Sequence, residues 1–290
     1  MPEGPGEGAS GGSAKRAAKK KTRHDFVEGE SYAPAPESTD HLSLKSSYDL
    51  FIGGKWVRAP KRFQTINPAT EEVIAEVGEA GPRMVDRAVA AAREAYDKTW
   101  SKLSGRERGK YLFRLARLIQ ERAREFAVVE SMDGGKPIRE SRDIDIPLVA
   151  AHFFYYAGWA DKLEYAFPGR SARPLGVAGQ VIPWNFPLLM AAWKLAPALA
   201  CGNTVVLKPA ETTPLTALLL AELIEEAEFP PGVVNIITGA GKTGQNLVQH
   251  EGIDKVAFTG STAVGKMILK SLAGTGKKFT LELGGKAANI

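Results

Sequence analysis

The sequence has little cysteine and no long apolar run. Its single cysteine, Cys201, excludes an internal disulfide framework and fits a reducing compartment, from which we predict a cytoplasmic location. No apolar stretch approaches the ~18 residues needed to cross a bilayer, so we expect no membrane partner. The first residues have no apolar core of the kind that a secretory signal requires. We also predict no metal site.

The net charge is small outside the amino terminus. Residues 1–24 hold six of the 38 lysines and arginines and two of the 33 acidic residues, so the rest of the chain is nearly neutral. The run Lys19–Lys21 is compatible with a nucleic-acid or membrane patch. The Gly/Ser/Pro-rich composition of residues 1–45 favours a disordered, solvated basic tail instead. Because no matching basic stripe follows, we expect no nucleic-acid partner.

The segment after the tail predicts a hairpin and then helices. Gly53-Gly54 lies between two short apolar runs, which is a two-residue hairpin signal. Apolar residues recur with helical spacing in three stretches beyond it. The predicted helices run from Pro82 to Lys98, from the capping box Ser104-x-x-Glu107 past Phe126, and from Asp145 as a cap to about Lys162.

From residue 177 onwards the pattern changes to an alternation of strands and helices. Five strands separated by helices favour a parallel, doubly wound sheet of Rossmann-like type with helices on both faces. The fold class is therefore α/β, preceded by a helical segment and a disordered tail. The predicted strands are Val177–Ile182, Thr204–Leu207, Val233–Ile237, Val256–Phe258 and Phe279–Leu283, with helices starting near Pro187, Pro214, Thr243 and Thr262.

Two of these strands end in polar turns. Val177–Ile182 is followed by Asn185, and Thr204–Leu207 is followed by Lys208 and Glu211. Ligands of open α/β sheets bind outside the carboxyl ends of the strands. These three side chains are therefore candidates for a binding site.

Two glycine-rich turns also follow strands. Residues 239–244 match G-x-G-x-x-G, but a P-loop is excluded because Ile236 occupies the position that needs glycine. The turn at Gly260 enters a helix through Ser261, where free backbone N–H groups favour an anion, and Gly265 allows close packing of helix and strand. From the residues alone, either turn is a phosphate site or an ordinary capped turn.

Several long motifs occur in a fixed order. They are YYAGWADK (Tyr155–Lys162), PWNFPLLM (Pro183–Met190), WKLAPALACGNTVVLKPAE (Trp193–Glu211), PPGVVNIITG (Pro230–Gly239), KVAFTGSTAVG (Lys255–Gly265) and LELGGK (Leu281–Lys286). With these motifs the chain resembles the amino-terminal, cofactor-binding half of an aldehyde dehydrogenase over roughly residues 48–290. The resemblance implies oxidation of an aldehyde to a carboxylic acid with NAD(P), through a thiohemiacetal on a cysteine.

The resemblance also implies a domain organisation. Residues 46–160 and 175–290 match the NAD-binding domain of the family. Residues 161–174 replace a longer hairpin that bridges subunits there, so a homo-oligomer is implied but weakened by the short hairpin. The catalytic domain of the family has no counterpart in this chain.

The resemblance implies catalytic roles for three residues of this chain. By the match to PWNF, Asn185 donates its amide N–H to the developing oxyanion, as a fixed donor requires no reorganisation. By the match to LELGGK, Glu282 is the general base for water. Lys194 either joins a proton relay or is a helix lysine that extends its amine to solvent.

The resemblance assigns the cofactor site as well. Lys208 and Glu211 hold the adenosine ribose, and the Glu211 carboxylate repels a 2′-phosphate, which favours NAD over NADP. Gly241 and Gly244 lie near the adenine. The other residues implied in the cofactor cleft, including the pyrophosphate turn, are Ile182, Pro183, Trp184, Phe258, Thr259, Gly260, Ser261, Thr262, Gly265 and Leu283.

The nucleophile is missing from the sequence. Cys201 matches a structural segment of the family, and we expect it to be buried filler. The catalytic cysteine of the family lies beyond the glutamate matched by Glu282, so we expect this fragment to be inactive alone. Two alternatives stay open: a non-catalytic nucleotide-binding or scaffold protein that keeps only the cofactor domain, and a dehydrogenase of another chemistry that shares only the sheet.

Overall fold

Two β-sheets and ten helices form the part of the chain that the structure describes, residues 37–166, 168–170 and 172–286 of a computed structural model. The strands are β1 Ser47–Tyr48, β2 Leu50–Ile52, β3 Lys55–Val57, β4 Lys61–Ile66, β5 Val73–Glu79, β6 Val177–Val181, β7 Thr204–Lys208, β8 Val234–Ile236, β9 Lys255–Gly260 and β10 Lys278–Leu283. The helices are α1 Pro82–Lys98, α2 Gly105–Glu121, α3 Ala123–Gly134, α4 Ile138–Glu140, α5 Ile146–Trp159, α6 Leu163–Ala166, α7 Pro187–Ala200, α8 Leu215–Glu226, α9 Gly241–Gln249 and α10 Thr262–Leu272.

The large sheet has the order β10-β9-β6-β7-β8-β2-β3. Strands β6 to β10 pair in parallel, as predicted. The hairpin β2–β3 is also confirmed: Gly53 and Gly54 both have positive φ angles, 63° and 72°, as a type I′ turn requires. The hairpin extends the sheet because Phe51 of β2 pairs antiparallel with Ile236 of β8.

Apolar side chains cover both faces of this sheet. One core cluster joins α7 and α8 to α2, α3 and α5, and the other joins α1, α9 and α10 to the opposite face. Parallel strands buried on both faces read as continuous apolar runs, as in β7, where all five residues are buried. The doubly wound fold predicted from the sequence is therefore confirmed.

The helical segment differs from the prediction at two points. The capping box at Ser104 and Glu107 is present, but α2 ends at Glu121 and α3 begins at Ala123. The break lies at Arg122, whose guanidinium donates to Glu125 and to Glu222 of α8. Helical spacing of apolar residues predicts a continuous helix here, whereas Arg122 departs from helical dihedral angles with φ −99° and ψ 18°.

Asp145 is not a helix cap. It is the last residue of a π-helical turn, Ser141–Asp145, that runs without interruption into α5, so no free helix amides are present for it to satisfy. Its buried carboxylate instead pairs with the ammonium of Lys136. The sequence prediction of a cap at this position is therefore wrong.

A three-stranded sheet, β1-β5-β4, was not predicted. Five of the six residues of β4 are exposed or only partly buried, and only Thr65 is buried. Because an alternating apolar pattern requires a buried face, such a strand gives little signal in the sequence.

Two predicted boundaries are also corrected. The described positions of residues 161–174 contain α6 and no strand, so they do not form the predicted shortened hairpin. Of the predicted tail 1–45, residues 1–36 lie outside the described part of the chain. Residues 37–45 are structured: they contain a 3₁₀ turn, Thr39–His41, and Lys45 Nζ lies 2.6 Å from Glu222 Oε1.

Candidate cofactor and catalytic site

The candidate site lies at the carboxyl ends of β6 and β9. From β6 the chain moves outward through β7 and β8, then returns to place β9 on the other side of β6. Strand order thus reverses between β6 and β9, where Val181 pairs with Phe258. In open α/β sheets such a switch point opens a crevice, because the two connecting loops leave in opposite directions.

The turn from β9 into α10 presents a helix amino terminus to this crevice. Ser261 is the N-cap, and its Oγ accepts a hydrogen bond from Val264 N at 3.3 Å. The remaining first-turn amides have no intrahelical acceptor and carry the positive end of the helix dipole. A Cβ at Gly265 would lie 2.3 Å from a methyl of Leu283, which agrees with the close packing of α10 on β10 inferred for this glycine.

Thr262 links the same turn to the end of β10. Its Oγ1 donates a hydrogen bond to Gly284 O at 3.2 Å. The residues predicted for this part of the cofactor cleft therefore lie at two neighbouring strand ends and in the first turns of α10: Phe258, Thr259, Gly260, Ser261, Thr262, Gly265 and Leu283.

A lysine–glutamate pair follows β7 on the other side of β6. Lys208 Nζ donates to Glu211 Oε2 at 3.1 Å, with the lysine side chain buried and the glutamate half exposed. Burial lowers the pKa of the Lys208 ammonium, and the Glu211 charge acts in the opposite direction. The pKa of the Glu211 carboxyl is below its ordinary value: burial acts to raise it, but a hydrogen bond from its own backbone amide and the Lys208 charge lower it.

The first glycine turn, which follows β8, lies beside this pair. A Cβ at Gly244 of α9 would lie 3.8 Å from Lys208 Cδ, whereas Gly241 has no neighbour within 4 Å. Gly239 has a φ of 146°, a conformation that side chains rarely adopt. The structure thus brings Lys208, Glu211 and the start of α9 together, with open space at Gly241.

The turn after β6 contains the predicted Asn185. Ile182 is buried, whereas Trp184 is 62% exposed and Asn185 is also exposed. Trp184, Asn185 and Pro187 line a cavity of about 220 Å³ with Glu130 and Lys136, whose side chains come from α3 and the loop after it.

Lys194, Thr259 and Glu282 line a second cavity, a trough of about 680 Å³. Thr259 pairs with Glu282 across β9 and β10, which places both side chains on one face of the sheet. Lys194 Nζ donates a hydrogen bond to Thr259 Oγ1 at 2.8 Å. Burial lowers the pKa of the Lys194 ammonium to about 8, while the negative charge of Glu282 acts in the opposite direction.

The catalytic candidates Asn185 and Glu282 therefore belong to different cavities. Asn185 lines the smaller one, Glu282 lines the trough, and no described residue lines both.

Cys201 lies away from the strand ends that carry the candidate site. It follows α7, next to the amino end of β7, and it lines the trough beside Pro197 and Ala198. Burial raises the pKa of its thiol, which disfavours the nucleophilic thiolate. The thiol is only partly buried, so the expectation of a fully buried residue is corrected.

Sequence reasoning missed two polar residues near the site. Gln180 is the one polar residue of β6, is 1% exposed, and donates its amide to Lys194 O at 2.8 Å. Lys136 follows α3 and lies under the ring of Phe186. A polar side chain within a buried apolar strand is the available signal for Gln180, whereas the sequence around Lys136 indicates only a break between helices.

Among the described residues, no helix combines the length and apolar character that a membrane crossing needs, and no three His, Cys, Asp or Glu side chains are grouped to hold a metal.

The strand order and the crevice define a Rossmann-like α/β protein. The chain belongs to the aldehyde dehydrogenase family: the profile described as "Aldehyde dehydrogenase family" matches residues 56–290. A relative named "Aldehyde dehydrogenase" from Alternaria alternata is 51% identical over 253 residues, 83% of this chain and 51% of the relative. "Retinal dehydrogenase 2" from Homo sapiens is 47% identical over 270 residues, 88% of this chain and 52% of the relative.

Solved structures agree with this assignment. The structure named "NAD+ complex structure of aldehyde dehydrogenase from bacillus cereus" superposes with a TM-score of 0.81 at 46% identity, covering 84% of this chain and 52% of that one. The chain thus spans about half the length of the curated relatives it matches.

Proposed function

We propose that this chain is the cofactor-binding part of an enzyme that oxidises an aldehyde to a carboxylic acid with NAD. The observation that supports this proposal most directly is the switch-point crevice between β6 and β9, with the α10 amino terminus on one side and the Lys208–Glu211 pair on the other. In the proposed organisation, residues 46–160 and 175–290 form the NAD-binding domain.

The residues of the crevice fit a dinucleotide. The first-turn amides of α10 suit the pyrophosphate, because they are unsatisfied donors at the positive end of a dipole. Open space at Gly241, beside the Lys208–Glu211 pair, suits the adenosine. Ile182, Pro183 and Trp184 form the strand end between these two parts. When bound, the nicotinamide supplies the hydride acceptor for the oxidation.

Three side chains are proposed to handle charge and protons. Asn185 donates its amide N–H to the oxyanion that develops on the carbonyl oxygen of the aldehyde. Glu282 accepts a proton from the hydrolytic water. Lys194 is proposed to pass protons from Glu282 to solvent, which is supported by its place beside Glu282 and by a pKa lowered to about 8.

The nucleophile is proposed to be a cysteine that residues 1–290 do not contain. Cys201 is a poor candidate because it is remote from Asn185 and burial raises the pKa of its thiol. This chain alone is therefore proposed to bind the cofactor without catalysing the oxidation. A cytoplasmic location and a homo-oligomeric state are parts of the same proposal.

Cofactor binding is tested by calorimetric titration of the full chain with NAD and, separately, with nicotinamide mononucleotide. We expect NAD to bind and the mononucleotide, which lacks adenosine, to bind at least about tenfold more weakly, a difference of about 1.4 kcal/mol. Activity is tested on a protein that joins this domain to a cysteine-bearing catalytic domain, with a panel of aldehydes. NAD binding without aldehyde oxidation by the joined protein would favour the alternative, a nucleotide-binding scaffold.

A further inference from the structure

A buried charged cluster lies beneath the turn that carries Asn185. It consists of Glu130 in α3, Lys136 in the following loop and Asp145 in the π-helical turn, with side-chain exposures of 0%, 15% and 1%. The Lys136 ammonium pairs with Asp145 and lies 3.7 Å from Glu130 Oε1. Three ionisable groups buried together are costly in free energy, so hydrophobic residues would serve stability alone equally well.

The cluster contacts the turn at two points. Leu188 N, in the first turn of α7, donates a hydrogen bond to Glu130 Oε2 at 3.3 Å. Phe186, the residue before α7, has no side-chain cap for this helix, so Glu130 provides a cap from a different helix. The Lys136 ammonium lies 3.9 Å from the centre of the Phe186 ring, within cation–π range.

The same groups line the cavity beside Asn185. Glu130 and Lys136 share this cavity of about 220 Å³ with Trp184 and Asn185. Glu130 Oε1 is buried and has no hydrogen-bond partner among the described residues, which is unusual for a buried carboxyl oxygen. An uncharged, protonated carboxyl costs less to bury than a carboxylate.

The electrostatics of Glu130 are consistent with this protonation. Burial raises the pKa of the Glu130 carboxyl to about 7. Lys136 lowers this pKa, Asp145 raises it, and the hydrogen bond from the Leu188 amide lowers it. These groups come from the loop after α3, the π-helical turn and α7, respectively.

We propose that Glu130 and Lys136 are positioning residues that fix the turn of residues 183–187 at the end of β6, and with it Asn185. Glu130 fixes the start of α7 through the Leu188 amide, and Lys136 fixes the ring of Phe186. Asp145 pairs with the Lys136 ammonium and so holds it between Glu130 and the Phe186 ring. The link to catalysis rests on the proposed role of Asn185. The positioning of the turn is independent of that role.

The test is amide hydrogen exchange in the full chain without any ligand, followed by mass spectrometry over residues 183–190. Glu130→Ala removes the cap, and Lys136→Met removes the charge but keeps most of the length. We expect each variant to speed exchange in this segment by about fivefold or more, the size associated with loss of a helix cap. Glu130→Gln keeps a carbonyl oxygen for Leu188 N and should restore most of the protection.

Asp133→Asn is the matched control, because Asp133 is an equally buried carboxyl of α3 that contacts Thr65 and Leu215 instead of the turn. It should leave exchange over residues 183–190 unchanged relative to exchange in α9. The proposal is overturned if Glu130→Ala leaves this segment protected, or if exchange rises equally in α9, which would show a general loss of stability. Failure of NAD to bind would count against the proposed function and leave this result unaffected.

Discussion

The ammonium of Lys194 donates a hydrogen bond to the hydroxyl of Thr259 across 2.8 Å, and so links α7 to the end of β9. The two residues belong to strand–helix units on opposite sides of the switch point. Their contact closes the side of the trough that also carries Glu282.

We therefore expect the amine of Lys194 to titrate near pH 8 and not near its ordinary 10.5. Burial disfavours the charged form, and Glu282 only partly offsets this. The measurement is ¹³C NMR of dimethylated lysines, with assignment by Lys194→Arg. Lys98, whose pKa is raised by its hydrogen bond with Glu94, serves as the internal control. A Lys194 titration at or above pH 10 would contradict the burial seen in the structure.

Thr259→Val tests the partner of that hydrogen bond. Valine has nearly the shape of threonine but cannot accept from the ammonium, so the charged form loses a stabilising contact. We expect the pKa of Lys194 to fall below about 8 in this variant. An unchanged titration would mean that the hydrogen bond contributes nothing to the charged state.

Glu211→Gln is expected to shift cofactor preference towards NADP. The carboxylate that would oppose a 2′-phosphate is removed, while the side chain keeps its length and a carbonyl oxygen for Lys208. The ratio of the NADP to the NAD dissociation constant, measured by calorimetry, should fall by about tenfold, a change of about 1.4 kcal/mol. Glu121→Gln, on an exposed residue at the end of α2, should leave the ratio unchanged; equal changes in both variants would refute a specific role for Glu211.

Gly105→Ala is expected to destabilise the fold. An alanine Cβ here would lie 2.1 Å from the backbone oxygen of Ala160, at the contact between the start of α2 and the end of α5. Relief of this overlap requires backbone movement, which typically costs about 1–3 kcal/mol. Urea denaturation measures the loss. Gly158→Ala, in α5 with no neighbour within 4 Å, should instead keep or raise stability, since alanine favours helix.

Asp133→Asn is expected to flatten the dependence of stability on pH. Burial raises the pKa of the Asp133 carboxyl from 3.8 to about 7, while hydrogen bonds from Thr65 and the Leu215 amide lower it. A raised folded-state pKa favours the folded protein fully below pH 3.8, and this advantage is lost as pH rises through about 7. The resulting loss of folding free energy is on the order of 4 kcal/mol, because a tenfold change in proton affinity corresponds to about 1.4 kcal/mol. Denaturation midpoints between pH 4 and 8 should vary less in the variant; Glu130, which titrates in the same range, accounts for the remaining slope.

The sequence predicted the sheet well because its strands are buried on both faces. In β7 and β8 every residue is buried and most are apolar, so the apolar runs mark these strands in the sequence. The strand β4 has no such signal, since only Thr65 of its six residues is buried. The break at Arg122 has no signal in the apolar spacing either, and the contact of Arg122 with Glu222 joins residues 100 positions apart in the chain.

The sequence identifies candidate residues for the site but not how those residues are arranged in space. The motifs supplied Asn185, Lys208, Glu211 and Ser261, and each lies at a strand end as expected. Local motifs cannot show that Asn185 and Glu282 line different cavities, because that separation depends on how β6 and β10 are ordered across the sheet. The contact between Glu130 and Leu188 likewise joins segments 58 residues apart.

The pairing of β2 with β8 has a consequence for synthesis of the chain. Gly53 N donates to Asn235 Oδ1 at 2.8 Å, a contact between residues 182 positions apart. At 5–20 residues per second, a ribosome needs roughly 10 to 40 s to make the partner after it has made β2. During that interval the three apolar residues of β2 have no sheet to join. In a nascent chain the unpaired edge of β2 could pair with a neighbouring chain. Either a chaperone or the short length of the strand must prevent this.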